Sequence, residues 1–180
     1  LTLGWAEREG DSIYNSASTF YKTGKKLAHF RKIQLWGAIE QSIFNFGDCY
    51  VTFELAGIKT GLLICYDVEF PQHVLALAKM GVQLILVPTA KPEKFSVVCD
   101  TLVPARASEN ALTIVYANYC GSENGLSFCG KSTIVGPDAK PLASAGSNEE
   151  NLLIANLNSL NKIEKTLLST QLADFRKVIT

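Results

Sequence analysis

Cys65 and Lys32 are the two side chains in this sequence of 180 residues whose types and settings are suited to nucleophilic chemistry. Cys65 follows an apolar run and precedes a proline-led helical pattern, so we expect it where a strand gives way to a helix. Sites in α/β sheets commonly form at that end of a strand, and nearby helical N–H groups favour a thiolate. The alternative is a small core residue, since free cysteine is among the most buried residue types.

Lys32 lies among apolar and aromatic residues in the segment 30–37. A lysine aimed into a pocket could lower the pKa of a thiol or stabilise an oxyanion. The alternative is a surface lysine whose stem lies along the protein. Glu40, eight residues later, reads by itself as an exposed carboxylate. His73 reads either as the partner of Cys65 in a Cys–His pair or as a surface residue of a helix.

Strand and helix patterns alternate along the chain, which predicts a layered α/β fold that positions these residues. A helix is expected from Pro71 to just before Gly81, and another within residues 96–111, where Pro104 marks a kink or the true start. We predict a loop at residues 121–125 and a last helix at residues 159–168. Strands are predicted at residues 50–55, 58–64, 83–87, 112–117, 132–135 and 152–157.

Composition limits the classes of function. Lysine and arginine number 17, as do aspartate and glutamate, so the net charge is zero and a basic nucleic-acid or membrane surface is not expected. No apolar run suits a membrane span, and no signal peptide is visible in the sequence. The five cysteines include no CxxC pair and there are two histidines, so we predict free thiols, no metal site and a cytoplasmic location.

Several short motifs occur in order along almost the whole chain. They are Tyr14-Asn15-Ser16-Ala17, Arg31-Lys32 with Leu35-Trp36-Gly37 and Glu40, Gly61-Leu62-Leu63-Ile64-Cys65-Tyr66-Asp67 with Phe70-Pro71, Pro88-Thr89-Ala90, Ala105-Arg106-Ala107 with Glu109-Asn110, Tyr116-Ala117-Asn118, Cys129-Gly130-Lys131-Ser132 and Gly136-Pro137-Asp138. Each motif is weak alone. Together they resemble the nitrilase superfamily of carbon–nitrogen hydrolases, in its amidase and carbamoylase branch.

The resemblance implies a Glu-Lys-Cys mechanism. Cys65 would attack the carbonyl carbon of an amide or carbamoyl group, giving a thioester that water hydrolyses. Lys32 and the backbone N–H of Tyr66 would hold the oxyanion, and Glu40 would orient Lys32 or the substrate.

The resemblance also implies an α-β-β-α sandwich, in which residues 1–180 form a single truncated domain. Thr89 and Ala90 would line the pocket, while loops 91–96 and 121–127 would set specificity for a small-molecule amide. No cofactor is implied. A homodimer is expected, with Arg176 either at a dimer contact or in a frayed tail.

One departure from the family pattern concerns the general base. In the family this glutamate ends the first strand, which lies upstream of the first residue here along with the helices that follow it. Glu7 matches a different family position and is not expected to replace that base. We therefore expect this chain to be inactive alone. The competing interpretations are a non-catalytic homologue that acts as an interaction module and an acyltransferase with the same triad.

Overall fold

The computed structural model describes residues 1–177, apart from the side chains of Ser159 and Asn161. The strands are β1 (Thr2–Glu9), β2 (Ser12–Phe20), β3 (Lys26–Arg31), β4 (Thr52–Leu55), β5 (Ile58–Leu62), β6 (Leu84–Thr89), β7 (Thr113–Asn118), β8 (Cys120–Glu123), β9 (Leu126–Cys129), β10 (Thr133–Val135) and β11 (Pro141–Ser144). The α-helices are α1 (Gly37–Ile43), α2 (Pro71–Lys79), α3 (Val103–Glu109) and α4 (Gln171–Asp174). Short 3₁₀ helices occupy Cys65–Glu69, Glu93–Phe95, Leu157–Lys162 and Lys165–Leu167, and a π-helical turn occupies Val98–Leu102.

Two sheets form the centre of the molecule. The large sheet has the order β11-β10-β7-β6-β5-β4, in which β5, β6 and β7 run parallel and the other neighbours are antiparallel. The small sheet is the antiparallel meander β1-β2-β3. The parallel strands matter for function because their carboxyl ends meet at one edge, where ligands bind in open α/β sheets.

The core joins both sheets to helices α2 and α3. Phe30 from the small sheet and Ile85 from the large one belong to the same buried cluster as Leu77 of α2 and Val103 of α3. Gly61 of β5 lies so close to α2 that a Cβ there would stand 3.2 Å from the Leu77 side chain. The expected α/β sandwich is therefore confirmed.

The central elements follow their sequence patterns. β6 is apolar almost throughout, as expected for a strand flanked by two parallel neighbours. Helix α2 begins at Pro71, and Gly81 follows its end with a φ of +82°, a left-handed conformation that glycine adopts without penalty. Helix α3 has Pro104 in its first turn, so that proline marks a start within the predicted segment.

The predicted loop at residues 121–125 is wrong, because these residues belong to the β8–β9 hairpin. Asn124 and Gly125 form its turn, with φ values of +50° and +79°. Positive φ at both central residues is the geometry that matches the twist of paired strands, and Asn-Gly is its favoured sequence. The dipeptide was therefore a readable signal for a hairpin.

The predicted strand at residues 152–157 and helix at residues 159–168 are also wrong. Residues 151–156 pair with no strand, and Leu152 and Ile154 are exposed. The helical part is divided between two 3₁₀ helices, and Asn156 caps the first by accepting a bond from the Asn158 N–H. An apolar run without a neighbouring strand gains no ladder bonds, which explains why the predicted strand does not form.

Candidate active site

Cys65 stands at the carboxyl end of β5, as the first residue of the 3₁₀ helix Cys65–Glu69. Its φ is +47°, a conformation rare outside glycine that costs on the order of 1–3 kcal/mol. Burial raises the pKa of the thiol, whereas the charges of Lys91 and Lys32 and a hydrogen bond from the Ala90 N–H act to lower it. The site therefore holds a half-buried thiol that is influenced by two lysine ammonium groups.

Lys32 follows β3 directly, and its side chain is 1% exposed. The Lys32 N–H donates to the Asn15 carbonyl at 2.8 Å, and the Gly47 N–H donates to the Lys32 carbonyl at 2.8 Å. Its ammonium donates to both carboxylate oxygens of Glu40, at 2.8 and 2.6 Å. The lysine is therefore held as a buried, paired cation, and the surface alternative is wrong for this residue.

Glu40 lies in the first turn of α1 and collects further donors. The Asn15 side-chain amide donates to it at 3.2 Å and the Trp36 backbone N–H at 2.5 Å. In the described part of the chain, Glu40 is the carboxylate that contacts Lys32. A carboxylate so fully engaged is well suited to fix the lysine in position.

Asp67 connects the lysine segment to the cysteine segment. Its buried carboxylate accepts the backbone N–H of Gln34 at 2.7 Å and that of Ile64 at 3.0 Å. Burial raises the pKa of Asp67 to about 7, although these N–H groups act to lower it. Asp67 was not identified from the sequence as a site residue, because the helix predicted there begins only at Pro71, whereas the structure places Asp67 in the first turn of the 3₁₀ helix Cys65–Glu69.

A second lysine near the thiol was also missed. Lys91 follows β6, is 2% exposed and forms an ion pair with Glu69. Its ammonium lies 5.6 Å from the ring centre of Tyr66 and 5.7 Å from that of Phe95. The readable signal was its position just beyond a strand of the large sheet, although loop 91–96 was expected only to set specificity.

Arg106 supports the same region from α3. It pairs with Glu109 at 3.0 Å, as their spacing of three predicts, and it also donates to the Glu69 carbonyl at 3.0 Å. The second bond ties α3 to the end of the short helix that begins with Cys65. The Arg106 side chain thus links α3 to the strained turn beside the thiol.

The structure brings Cys65, Lys32 and Glu40 into one site, with Ala90 directly against the thiol. Thr89 is the last residue of β6, and its hydroxyl donates to the Val87 carbonyl at 3.2 Å. Tyr66 is the second residue of its 3₁₀ helix, a position whose backbone N–H has no intrahelical acceptor.

Glu7 and His73 lie in other clusters. Glu7 accepts bonds from Arg31 at 2.9 and 2.6 Å, and this pairing lowers its pKa to about 2 although desolvation opposes the shift. His73 is buried, and its ring bonds to the Tyr50 hydroxyl at 2.7 Å and to Gln34 at 3.1 Å. The interpretation of His73 as a surface residue is therefore wrong, and its two ring bonds leave it outside a Cys–His pair.

Within residues 1–177, no cluster of three histidine, cysteine, aspartate or glutamate side chains is arranged to hold a metal ion. No helix in that range is both long and apolar enough to cross a membrane. Arg176 is exposed beyond α4. Its expected role at a dimer contact stays a prediction.

Comparison with known proteins agrees with this geometry. A sequence model described as carbon-nitrogen hydrolase matches residues 1–164. A protein of Pseudomonas protegens named hydrolase in pqqF 5'region is 41% identical over 98% of this chain and 62% of its own length. An (R)-stereoselective amidase of Pseudomonas sp. is 37% identical over 83% of this chain and 54% of its own.

Solved structures show the same likeness. An amidase from Nesterenkonia sp. superposes with a TM-score of 0.79 at 40% identity, covering 82% of this chain and 57% of that one. A mutant of that amidase carries acrylamide, joined by Michael addition at its active-site cysteine. The chain thus spans roughly three fifths of the length of these relatives.

Proposed function

Because this chain belongs to the carbon–nitrogen hydrolase family, we propose that it cleaves the C–N bond of a small amide or carbamoyl compound with Cys65 as the nucleophile. The observation that carries the proposal is the convergence of a buried ammonium and a backbone N–H on a cysteine at a sheet edge. A cysteine nucleophile needs a positive neighbour and donors for the developing oxyanion.

In the proposed reaction, the Cys65 sulfur forms a bond to the carbonyl carbon while the carbonyl oxygen gains the negative charge. The Lys32 ammonium and the Tyr66 N–H hold that oxyanion. Its collapse breaks the C–N bond and releases ammonia or an amine, which leaves with a proton. Water then attacks the thioester, releasing a carboxylic acid and restoring the thiol. Thr89 and Ala90 form the adjacent wall of the substrate pocket.

The proton of Cys65 must go to a general base. Burial raises the pKa of this thiol, so a base has to remove the proton during attack. Glu40 is committed to Lys32, Asn15 and the Trp36 N–H, so we assign it to orienting the lysine. The base is then a further carboxylate, expected upstream in the longer protein of which residues 1–180 form one truncated domain.

Labelling with acrylamide tests the nucleophile. In the chain extended upstream, which includes the proposed base, mass spectrometry should show Cys65 modified faster than Cys49, although Cys49 is the more exposed thiol. Lys32→Met should slow the labelling of Cys65, whereas Lys140→Met, at an exposed lysine, should leave it unchanged. If Cys65 reacts no faster than Cys49, the proposal fails and the interaction-module alternative is favoured.

Ammonia release from butyramide tests turnover. A mutant of the Nesterenkonia amidase has been solved in complex with butyramide, which makes this a reasonable first substrate. A chain extended upstream should turn over about 10²–10⁴-fold faster than residues 1–180, the usual contribution of a general base. Equal rates for the two chains would contradict the assignment of a separate upstream base. We also propose that the protein forms a homodimer, which is tested by measuring the mass of the extended protein in solution.

A further inference from the structure

Cys99 and Cys129 form a buried pair of thiols that the proposed reaction does not use. Cys99 lies in the π-helical turn Val98–Leu102 and Cys129 ends β9. The two residues are thirty positions apart in sequence, yet their sulfur atoms lie 3.2 Å apart, and both side chains are buried. The fold therefore brings two thiols from separate elements into direct contact.

Asn118 is hydrogen-bonded to the thiol pair. Its side-chain amide donates to the Cys129 sulfur at 3.1 Å and to the Gly130 carbonyl at 2.5 Å. Burial and the contact with Cys129 raise the pKa of Cys99 to about 12. Cys99 thus keeps its proton and can donate it towards Cys129, whose sulfur also accepts from Asn118.

A cavity gives access to the pair. It has a volume of about 440 Å³, and Cys99 lies in its wall with Asp100 and Lys131. Lys131 and Asp100 form an ion pair of 2.6 Å there. Water-sized polar molecules fit such a space, and hydrogen peroxide is only slightly larger than water. Cys129 lies directly behind Cys99, where it can react second.

We infer that Cys99 and Cys129 are a site of reversible oxidation that closes to a disulfide when a hydroperoxide enters the cavity. The Cys99 sulfur attacks the peroxide as its proton passes to the departing oxygen, the O–O bond breaks, and a sulfenic acid forms with release of water or an alcohol. The Cys129 sulfur then displaces the hydroxyl, which leaves as water with the Cys129 proton. Two thiols are oxidised and one hydroperoxide is reduced.

The required movement is small. A disulfide has an S–S bond of about 2.0 Å, so the sulfurs must approach by roughly 1.2 Å. Cys49 is exposed and has no such partner among the described cysteines. The contact between buried sulfurs therefore distinguishes this pair from the other thiols.

Closure would also reach the candidate active site. The Cys129 N–H donates to the Lys91 carbonyl at 2.9 Å, and the Asn118 side chain accepts the Lys91 N–H at 2.8 Å. Drawing Cys129 towards Cys99 displaces this support for Lys91. This consequence rests on the proposed function, whereas formation of the disulfide does not.

Peptide mapping of the full chain tests the proposal. After treatment with hydrogen peroxide and blocking of free thiols, digestion with trypsin and chymotrypsin can cut after Phe128 and so separate Cys120 from Cys129. A cross-linked Cys99–Cys129 peptide, lost on treatment with dithiothreitol, is the expected result. Cys49→Ser should leave it unchanged and Cys99→Ser should abolish it.

The contrary result is equally clear. If Cys99 and Cys129 stay free in the unsubstituted chain while Cys49 is oxidised, the inference is overturned. This measurement does not depend on any variant. In the oxidised chain, acrylamide should label Cys65 at least threefold more slowly than in Cys99→Ser treated with the same peroxide, in which the disulfide cannot form. A disulfide with unchanged labelling would refute the link to Lys91, and failure of Cys65 to label in either state would count against the proposed function alone.

Discussion

Separating Lys32 from Glu40 should destabilise the protein asymmetrically. The Lys32 side chain is 1% exposed and that of Glu40 is 23% exposed. In Glu40→Gln, the ammonium stays buried without an anionic partner. Removing one partner of a buried ion pair costs about 3–5 kcal/mol, because an uncompensated charge remains.

The reverse change, Lys32→Met, should cost less. The carboxylate of Glu40 keeps the Asn15 amide, the Trp36 N–H and some contact with water. The methionine side chain replaces most of the lysine stem. We expect a loss of about 1–3 kcal/mol, the usual range for removing one partner of a hydrogen bond that leaves a polar group behind.

Thermal unfolding followed by circular dichroism measures this difference. For a chain of this size, each kcal/mol lowers the melting temperature by about 2–4 °C. Glu40→Gln should therefore melt at least a few degrees below Lys32→Met. The exposed Lys140→Met and Glu123→Gln serve as controls, with changes within about 0.5 kcal/mol. A lower melting temperature for Lys32→Met than for Glu40→Gln would refute the reasoning.

Three further substitutions test other parts of the structure. Glu7→Gln should lower stability at neutral pH, and the deficit should vanish in urea titrations as pH falls from about 4.5 to about 2, because pairing with Arg31 lowers the pKa of Glu7. Asp67 behaves oppositely, because burial raises its pKa in the folded protein from 3.8 to about 7. The stability that the protonated carboxyl contributes is therefore present below pH 3.8 and is lost as pH rises through 7. Asp67→Asn should remove this loss of stability with rising pH, and an unchanged pH profile of stability would contradict the role given to Asp67. Gly125→Ala should cost about 1–2 kcal/mol because φ is +79° there, whereas Gly4→Ala, whose new Cβ meets only ordinary contacts, should not.

The positions that follow local rules could be predicted from the sequence. Pro71 and Gly81 bracket α2 because one suits a first helical turn and the other a left-handed residue after the end. The parallel strands β6 and β7 were readable because they are apolar on both faces. The junction at Cys65 follows from these boundaries alone.

Contacts between distant segments could not be predicted in this way. Lys91 and Glu69 are twenty-two positions apart and meet only because β6 and the turn after β5 reach the same edge. Asp67 acts on Gln34, thirty-three positions away, through a backbone N–H that no side-chain pattern reveals. Lys32 and Glu40 lie eight residues apart, but that spacing does not reveal that the lysine is buried. Its burial depends on contacts with Asn15 and the small sheet.

The two lysines near Cys65 are the reason that the proposed reaction requires a base as well as cations. Each ammonium is already neutralised by its own carboxylate, Lys32 by Glu40 and Lys91 by Glu69. The carboxylates orient both ammonium groups, but each pair supplies a dipole where a free cation would supply a full charge. Burial therefore still raises the pKa of the thiol despite two adjacent ammonium groups. In the proposed reaction, such an arrangement suits an oxyanion that forms briefly better than a permanent thiolate, so we expect proton removal to accompany attack.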